Sequence, residues 1–146
     1  MSLDNLYRQV IMEHYQHPRN RGHLDGDGVL TVHLNNPTCG DKITLQLLVD
    51  DGKISEIKFE GDGCSISMAS ASMMTAAVKG QTVENALKFA DLFSQMMLGE
   101  EVELDDLDWG DIEALQGVSK FPARIKCATL GWKALEKGVG SESKEE

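Results

Sequence analysis

Residues 45–67 read LQLLVDDGKISEIKFEGDGCSIS, and this stretch decides the fold. Leu45, Leu47 and Val49 recur at every second position, as one face of a half-buried strand does. Asp51-Gly52 supplies a hairpin turn, because glycine tolerates a positive φ. Ile54 to Glu60 returns as the next strand, with Ile57 and Phe59 on one face. Gly61-Asp62-Gly63 then marks a tight strand-to-helix turn. No Gly-Lys-Ser/Thr follows it, so a phosphate loop is disfavoured. Cys64 opens a helix over Ser65 to Lys79, which Gly80 stops.

On the N-terminal side, Leu30, Val32 and Leu34 alternate with Thr31 and His33 and predict a further strand. Before it, Leu3 to about His17 carries a helical stripe that Pro18 and a polar run break. On the C-terminal side, Thr82 caps a helix with Ala86, Ala90, Phe93 and Met97 on one face and Gly99 at its end. An acidic stretch, Glu100 to Asp111, precedes a short helix around Ile112 to Leu115. Pro122 starts the last helix, expected to reach about Lys137. Strands first and helices later is an α+β pattern: a three-stranded antiparallel sheet covered on one face by helices. Residues 1–137 are read as a single domain and 138–146 as a polar, flexible tail.

The chain has 146 residues, with 14 Lys+Arg against 24 Asp+Glu and a net charge of -10. That size fits one domain with its own core. The acid excess and the lack of clustered Lys and Arg argue against nucleic acid and against an anionic membrane surface. They favour a partner with a basic docking surface. No apolar run approaches the ~18 residues of a membrane span. Met1-Ser2-Leu3-Asp4-Asn5 lacks the features of a signal peptide, so a cytoplasmic location is expected. Met68, Met73, Met74, Met96 and Met97 read as adaptable core. His14, His17, His23 and His33 lie near no cysteine in sequence and read as solvated surface.

The three cysteines carry the chemistry. Cys39 lies in Asn35-Asn36-Pro37-Thr38-Cys39-Gly40-Asp41, read as a loop between two strands. Cys64 opens a helix, and Cys127 lies in the first turns of the last one, three residues after Arg124. A helix N-terminus and a nearby cation both favour thiolate over thiol. With Asp41 on the same loop, three thiolates and one carboxylate make the four ligands of a tetrahedral zinc site. Such a set around Zn²⁺ is formally net negative, and Arg124 would offset that charge. The competing reading is three small buried hydrophobes, because the spacing contains no C-x-x-C pair.

Three ordered motifs then bear on that choice. They are Asn36-Pro37-Thr38-Cys39-Gly40-Asp41, Phe59-Glu60-Gly61-Asp62-Gly63-Cys64-Ser65-Ile66-Ser67, and Phe121-Pro122-Ala123-Arg124-Ile125-Lys126-Cys127-Ala128-Thr129-Leu130. Together they resemble the IscU/NifU-N family of iron–sulfur cluster assembly proteins, and within it the SufU type. Two departures separate the chain from the housekeeping scaffold. Lys126 stands where that scaffold has a His, and Lys120-Phe121-Pro122-Ala123-Arg124 stands where it has a chaperone-binding motif. The resemblance implies one zinc on Cys39, Asp41, Cys64 and Cys127. It implies that Cys39 accepts sulfur, with Arg124 assisting. The implied partners are a pyridoxal-phosphate cysteine desulfurase of the SufS kind and downstream cluster-assembly proteins. Two alternatives stay open: a scaffold holding iron or a transient [2Fe-2S] cluster, and a structural zinc module.

Overall fold

The computed structural model describes residues 3–36, 40–100 and 110–144. Cys39 and nearly all of the acidic stretch lie outside the described residues. The order is α1 (Leu3–Gln16), β1 (Leu30–Asn36), β2 (Asp41–Asp50), β3 (Lys53–Asp62), α2 (Ser65–Val78), α3 (Val83–Met97), a 3₁₀ helix (Gly110–Lys120) and α4 (Pro122–Lys144). Among these residues no helix is long and apolar enough to cross a membrane.

The strands form one antiparallel sheet in the order β1-β2-β3. Leu45 faces Val32 on one side and Phe59 on the other, and Leu47 faces Leu30 and Ile57. The alternation therefore places Val32, Ile43, Leu45, Leu47, Ile57 and Phe59 in the core. Asp51 and Gly52 turn the β2–β3 hairpin with φ of 53° and 76°. Two left-handed residues in a two-residue loop match the natural twist of the strands. On the outer side of β3, Asn20 and Gly22 exchange backbone hydrogen bonds with Phe59, which closes part of that edge.

Helix α4 packs on β1 and β2, while α2 packs on β3 and on α1 and α4. α2 is buried nearly all round, because its Ala and Ser residues let neighbouring elements approach closely. Its polar groups are satisfied inside the core. Trp132 Nε1 donates to Ser70 Oγ at 3.1 Å, and Ser70 Oγ donates to the Ala128 carbonyl at 2.6 Å. Phe93 stacks on Trp132 with centroids 4.7 Å apart, tying α3 to the same cluster. All five methionines named above are buried. α4 continues to Lys144, past the end expected at Lys137, and Gly138 and Val139 are buried in it. Gly138 approaches Leu47 and Val32 so closely that a Cβ there would stand 3.0 Å from Leu47 Cδ2.

His14 corrects the sequence reading. It is 2% exposed rather than solvated. Its Nδ1 lies 2.8 Å from Ser72 Oγ on α2, and its Nε2 lies 2.8 Å from Asp111 Oδ2 on the 3₁₀ helix. Ser72 Oγ also accepts the Arg19 N–H at 2.8 Å. The neutral Nε2–H tautomer satisfies every group: Ser72 donates to Nδ1, and Nε2–H donates to Asp111. The hydroxyl is fully buried, so this Ser–His–Asp row is a clamp between elements and not a nucleophilic triad. His14→Ala is expected to lower stability by about 1–3 kcal/mol, since it leaves buried polar atoms unpaired. Asp111→Asn should cost less, because the Asp111 side chain is 54% exposed. Urea denaturation of both variants checks the order; equal losses would mean that the clamp is not where the stability resides.

Candidate metal centre

Asp41 is the first residue of β2, paired with Asn36 of β1, and not a loop residue as its sequence suggested. It is completely buried. Its Oδ1 accepts the backbone N–H of Cys64 at 3.0 Å. Its Oδ2 is buried and has no hydrogen-bond partner among the described residues. A buried carboxylate oxygen left without a partner is costly unless a cation completes it.

The corner that brings Cys64 to Asp41 needs glycine twice, for space. Gly61 lies opposite Ile43, and a Cβ there would stand 2.1 Å from the Lys42 carbonyl oxygen. A Cβ on Gly63 would stand 2.5 Å from both Asp41 Oδ1 and Ser67 Oγ. Cys64 then acts as N-cap of α2, with its Sγ accepting the Ser67 N–H at 3.5 Å. Orphan N–H groups at a helix start favour a negative sulfur. Ser67 was not singled out from the sequence, although its place three residues after the cap is the signal that finds it. Its hydroxyl stands 3.8 Å from Cys64 Sγ and donates to the Cys64 carbonyl at 3.0 Å.

Cys127 reaches the same point from α4 and is fully buried, whereas Cys64 is partly exposed. One ligand atom each from Asp41, Cys64 and Cys127 lies within 4.8 Å of the others. Arg124, exposed and one turn before Cys127, is held more firmly protonated than usual by the negative charge of Cys64 and then of Cys127. Of the four ligands expected from the sequence, the fold brings these three together and sets Arg124 beside them. Cys39, two residues before Asp41 in the chain, lies outside the described residues.

Residues 6–128 match the NifU-like N-terminal domain family. The chain belongs to this family. A relative from Bacillus subtilis (strain 168) named zinc-dependent sulfurtransferase SufU is 62% identical, over 97% of this chain and 94% of its own length. An iron–sulfur cluster assembly scaffold protein IscU from Streptococcus pyogenes serotype M1 is 50% identical, over 94% of this chain and 84% of its own. In three dimensions, a crystal structure described as an iron–sulfur cluster assembly scaffold protein for the SUF system, from Fervidobacterium islandicum AW-1, aligns with a TM-score of 0.82. It is 34% identical and the match covers 90% of this chain and 94% of that one. In this NifU-like domain Asp41, Cys64 and Cys127 converge on one point that could hold a metal ion.

The donor set fits zinc on two grounds: the buried oxygen of Asp41 that no described residue satisfies, and the pairing of thiolates with a carboxylate. Gly63→Ala tests how much the corner matters. Its Cβ would displace the Asp41 carboxylate from the Cys64 N–H. The variant should bind zinc ~10–100-fold more weakly in a chelator competition, the usual effect of disturbing a group that orients a ligand. Gly117→Ala, which meets nothing within 4 Å, serves as the control.

Proposed function

We propose that the protein is a zinc-dependent sulfurtransferase of iron–sulfur cluster assembly, accepting persulfide sulfur from a cysteine desulfurase and passing it on. The observation that carries this reading is the convergence of Asp41, Cys64 and Cys127, with a carboxylate oxygen among them that has no partner among the described residues. Its 62% identity to a zinc-dependent sulfurtransferase supports the reading. Cys39, Asp41, Cys64 and Cys127 would hold one zinc. Bound there, the metal keeps thiols deprotonated at neutral pH.

The remaining chemistry belongs to the chain. Cys39 is the acceptor, and its thiolate attacks the terminal sulfur of the desulfurase persulfide. A new S–S bond forms on Cys39 as the donor's S–S bond breaks. The donor cysteine leaves with the bonding electron pair as a thiolate, and the terminal proton stays on the transferred sulfur. No net oxidation occurs, as in thiol–disulfide exchange. Asp41 contributes the harder, more easily exchanged ligand of the set. Arg124, exposed beside two sulfurs, offsets the negative charge of the donor set and gives the incoming persulfide a counter-charge. The donor is a pyridoxal-phosphate enzyme of the SufS kind, and the setting is the cytoplasm. The net charge of -10 speaks against nucleic acid as a partner.

The deciding measurement is desulfurase turnover with zinc-loaded protein, a small thiol reductant and no iron. A saturable acceleration that disappears in Cys39→Ala is expected. Acceleration that survives in Cys39→Ala would remove Cys39 as acceptor. No acceleration, with cluster absorbance once ferrous iron is added, would make the protein a scaffold. Arg124→Ala should lower the transfer rate by about tenfold or more, in line with loss of one charge-stabilising group. Its melting temperature should barely change, because Arg124 is exposed.

A further inference from the structure

A cleft of about 530 Å³ opens where α1, the start of α2 and the 3₁₀ helix meet, just ahead of α4. Its volume falls in the ~300–1,000 Å³ range of sites that receive ligand groups. Ile11 and Met12 from α1, Ile66 from α2 and Val118 from the 3₁₀ helix line it with apolar surface. Arg8 and Lys120 line it too, and neither has a carboxylate partner among the described residues. Phe121 completes the lining and is 62% exposed. Four large hydrophobic residues are exposed among the described residues, and two of them, Met12 and Phe121, belong to this cleft. Exposed aromatic surface beside arginine is the composition of an interface anchor.

Resting on the sulfurtransferase reading, we infer that this cleft anchors the sulfur-donating protein by taking an apolar side chain of that protein with a carboxylate beside it. The apolar lining fits the side chain, and the two cations fit the carboxylate. Placement supports the donor as occupant. Ser65 and Ile66 follow Cys64 directly, and Phe121 stands three residues before Arg124. A protein seated in the cleft therefore lies beside the ligand point that the persulfide must reach. Charge argues against a second copy of this chain, since two bodies of net charge -10 repel. A local pair of cations on an acidic chain instead marks where an acidic segment of another protein can approach.

The test titrates zinc-loaded protein into a pyridoxal-phosphate cysteine desulfurase from the same organism and fits maximal rate and half-saturating concentration separately. The double variant Arg8→Glu with Lys120→Glu, and Phe121→Ala alone, change exposed positions and should keep zinc content and melting temperature. Each should raise the half-saturating concentration about tenfold while leaving the maximal rate within a factor of two, the pattern of lost binding rather than lost chemistry. Arg8→Lys with Lys120→Arg should restore the wild-type value. Unchanged half-saturation in both the double variant and Phe121→Ala would overturn the inference. So would normal loading from the donor with impaired delivery to a downstream acceptor, which would give the cleft to the acceptor. Calorimetric binding of the Cys39→Ala protein to the desulfurase separates the two proposals. If Cys39→Ala still accelerates turnover, the acceptor assignment fails, yet the loss of binding in the cleft variants still decides this one.

Discussion

One buried carboxylate organises the site. Asp41 loses all contact with water, and a carboxylate in that position needs compensation on both oxygens. The first oxygen has the Cys64 N–H, and the second has no partner among the described residues. That hydrogen bond joins the start of β2 to the start of α2, so the same contact that anchors Asp41 also orients Cys64. Two glycines make it possible by letting β3 and the turn after it approach β2 more closely than any side chain allows. The core needs no charge at this point. The carboxylate sits there at a cost to folding, which a cation held between it and the sulfurs would offset.

The two described cysteines occupy unequal environments, and the difference suits their setting. Cys64 lies at a helix N-terminus, partly exposed, where backbone N–H groups favour negative charge. Cys127 lies inside α4, fully buried, with Arg124 one turn away on the exposed side. A cluster of acids in a chain already at net charge -10 would repel an anionic persulfide. Arg124 places a positive charge beside the two sulfurs.

The frame that supports this arrangement is stiff where the site needs it. α2 runs through the middle of the body and makes polar contacts to α4 through Ser70 and to α1 through Ser72. The His14 clamp then joins α1 to the 3₁₀ helix, which leads directly into α4 and Cys127. Loosening α1 would thus be felt at the cleft, whose lining α1 shares, before it is felt at the sheet.

The sequence by itself determined the sheet, the hairpin and the helix caps, and it offered Cys39, Asp41, Cys64 and Cys127 as candidate ligands. Those features are local: alternation at period two, a left-handed turn at Asp51-Gly52, a capping side chain at Thr82 and sulfur at helix starts. The tertiary structure alone decided which groups meet. Asp41 looked like a loop residue, but pairing with Asn36 drew it into β2 and buried it. His14 looked like surface, because a short amphipathic stripe cannot say that Ser72 and Asp111, far off in sequence, will enclose it. α4 runs on past Gly138, a residue type that usually ends a helix, and this glycine instead lies close against Leu47 and Val32. Proximity between distant segments depends on how whole elements pack, and no local pattern of residues encodes that.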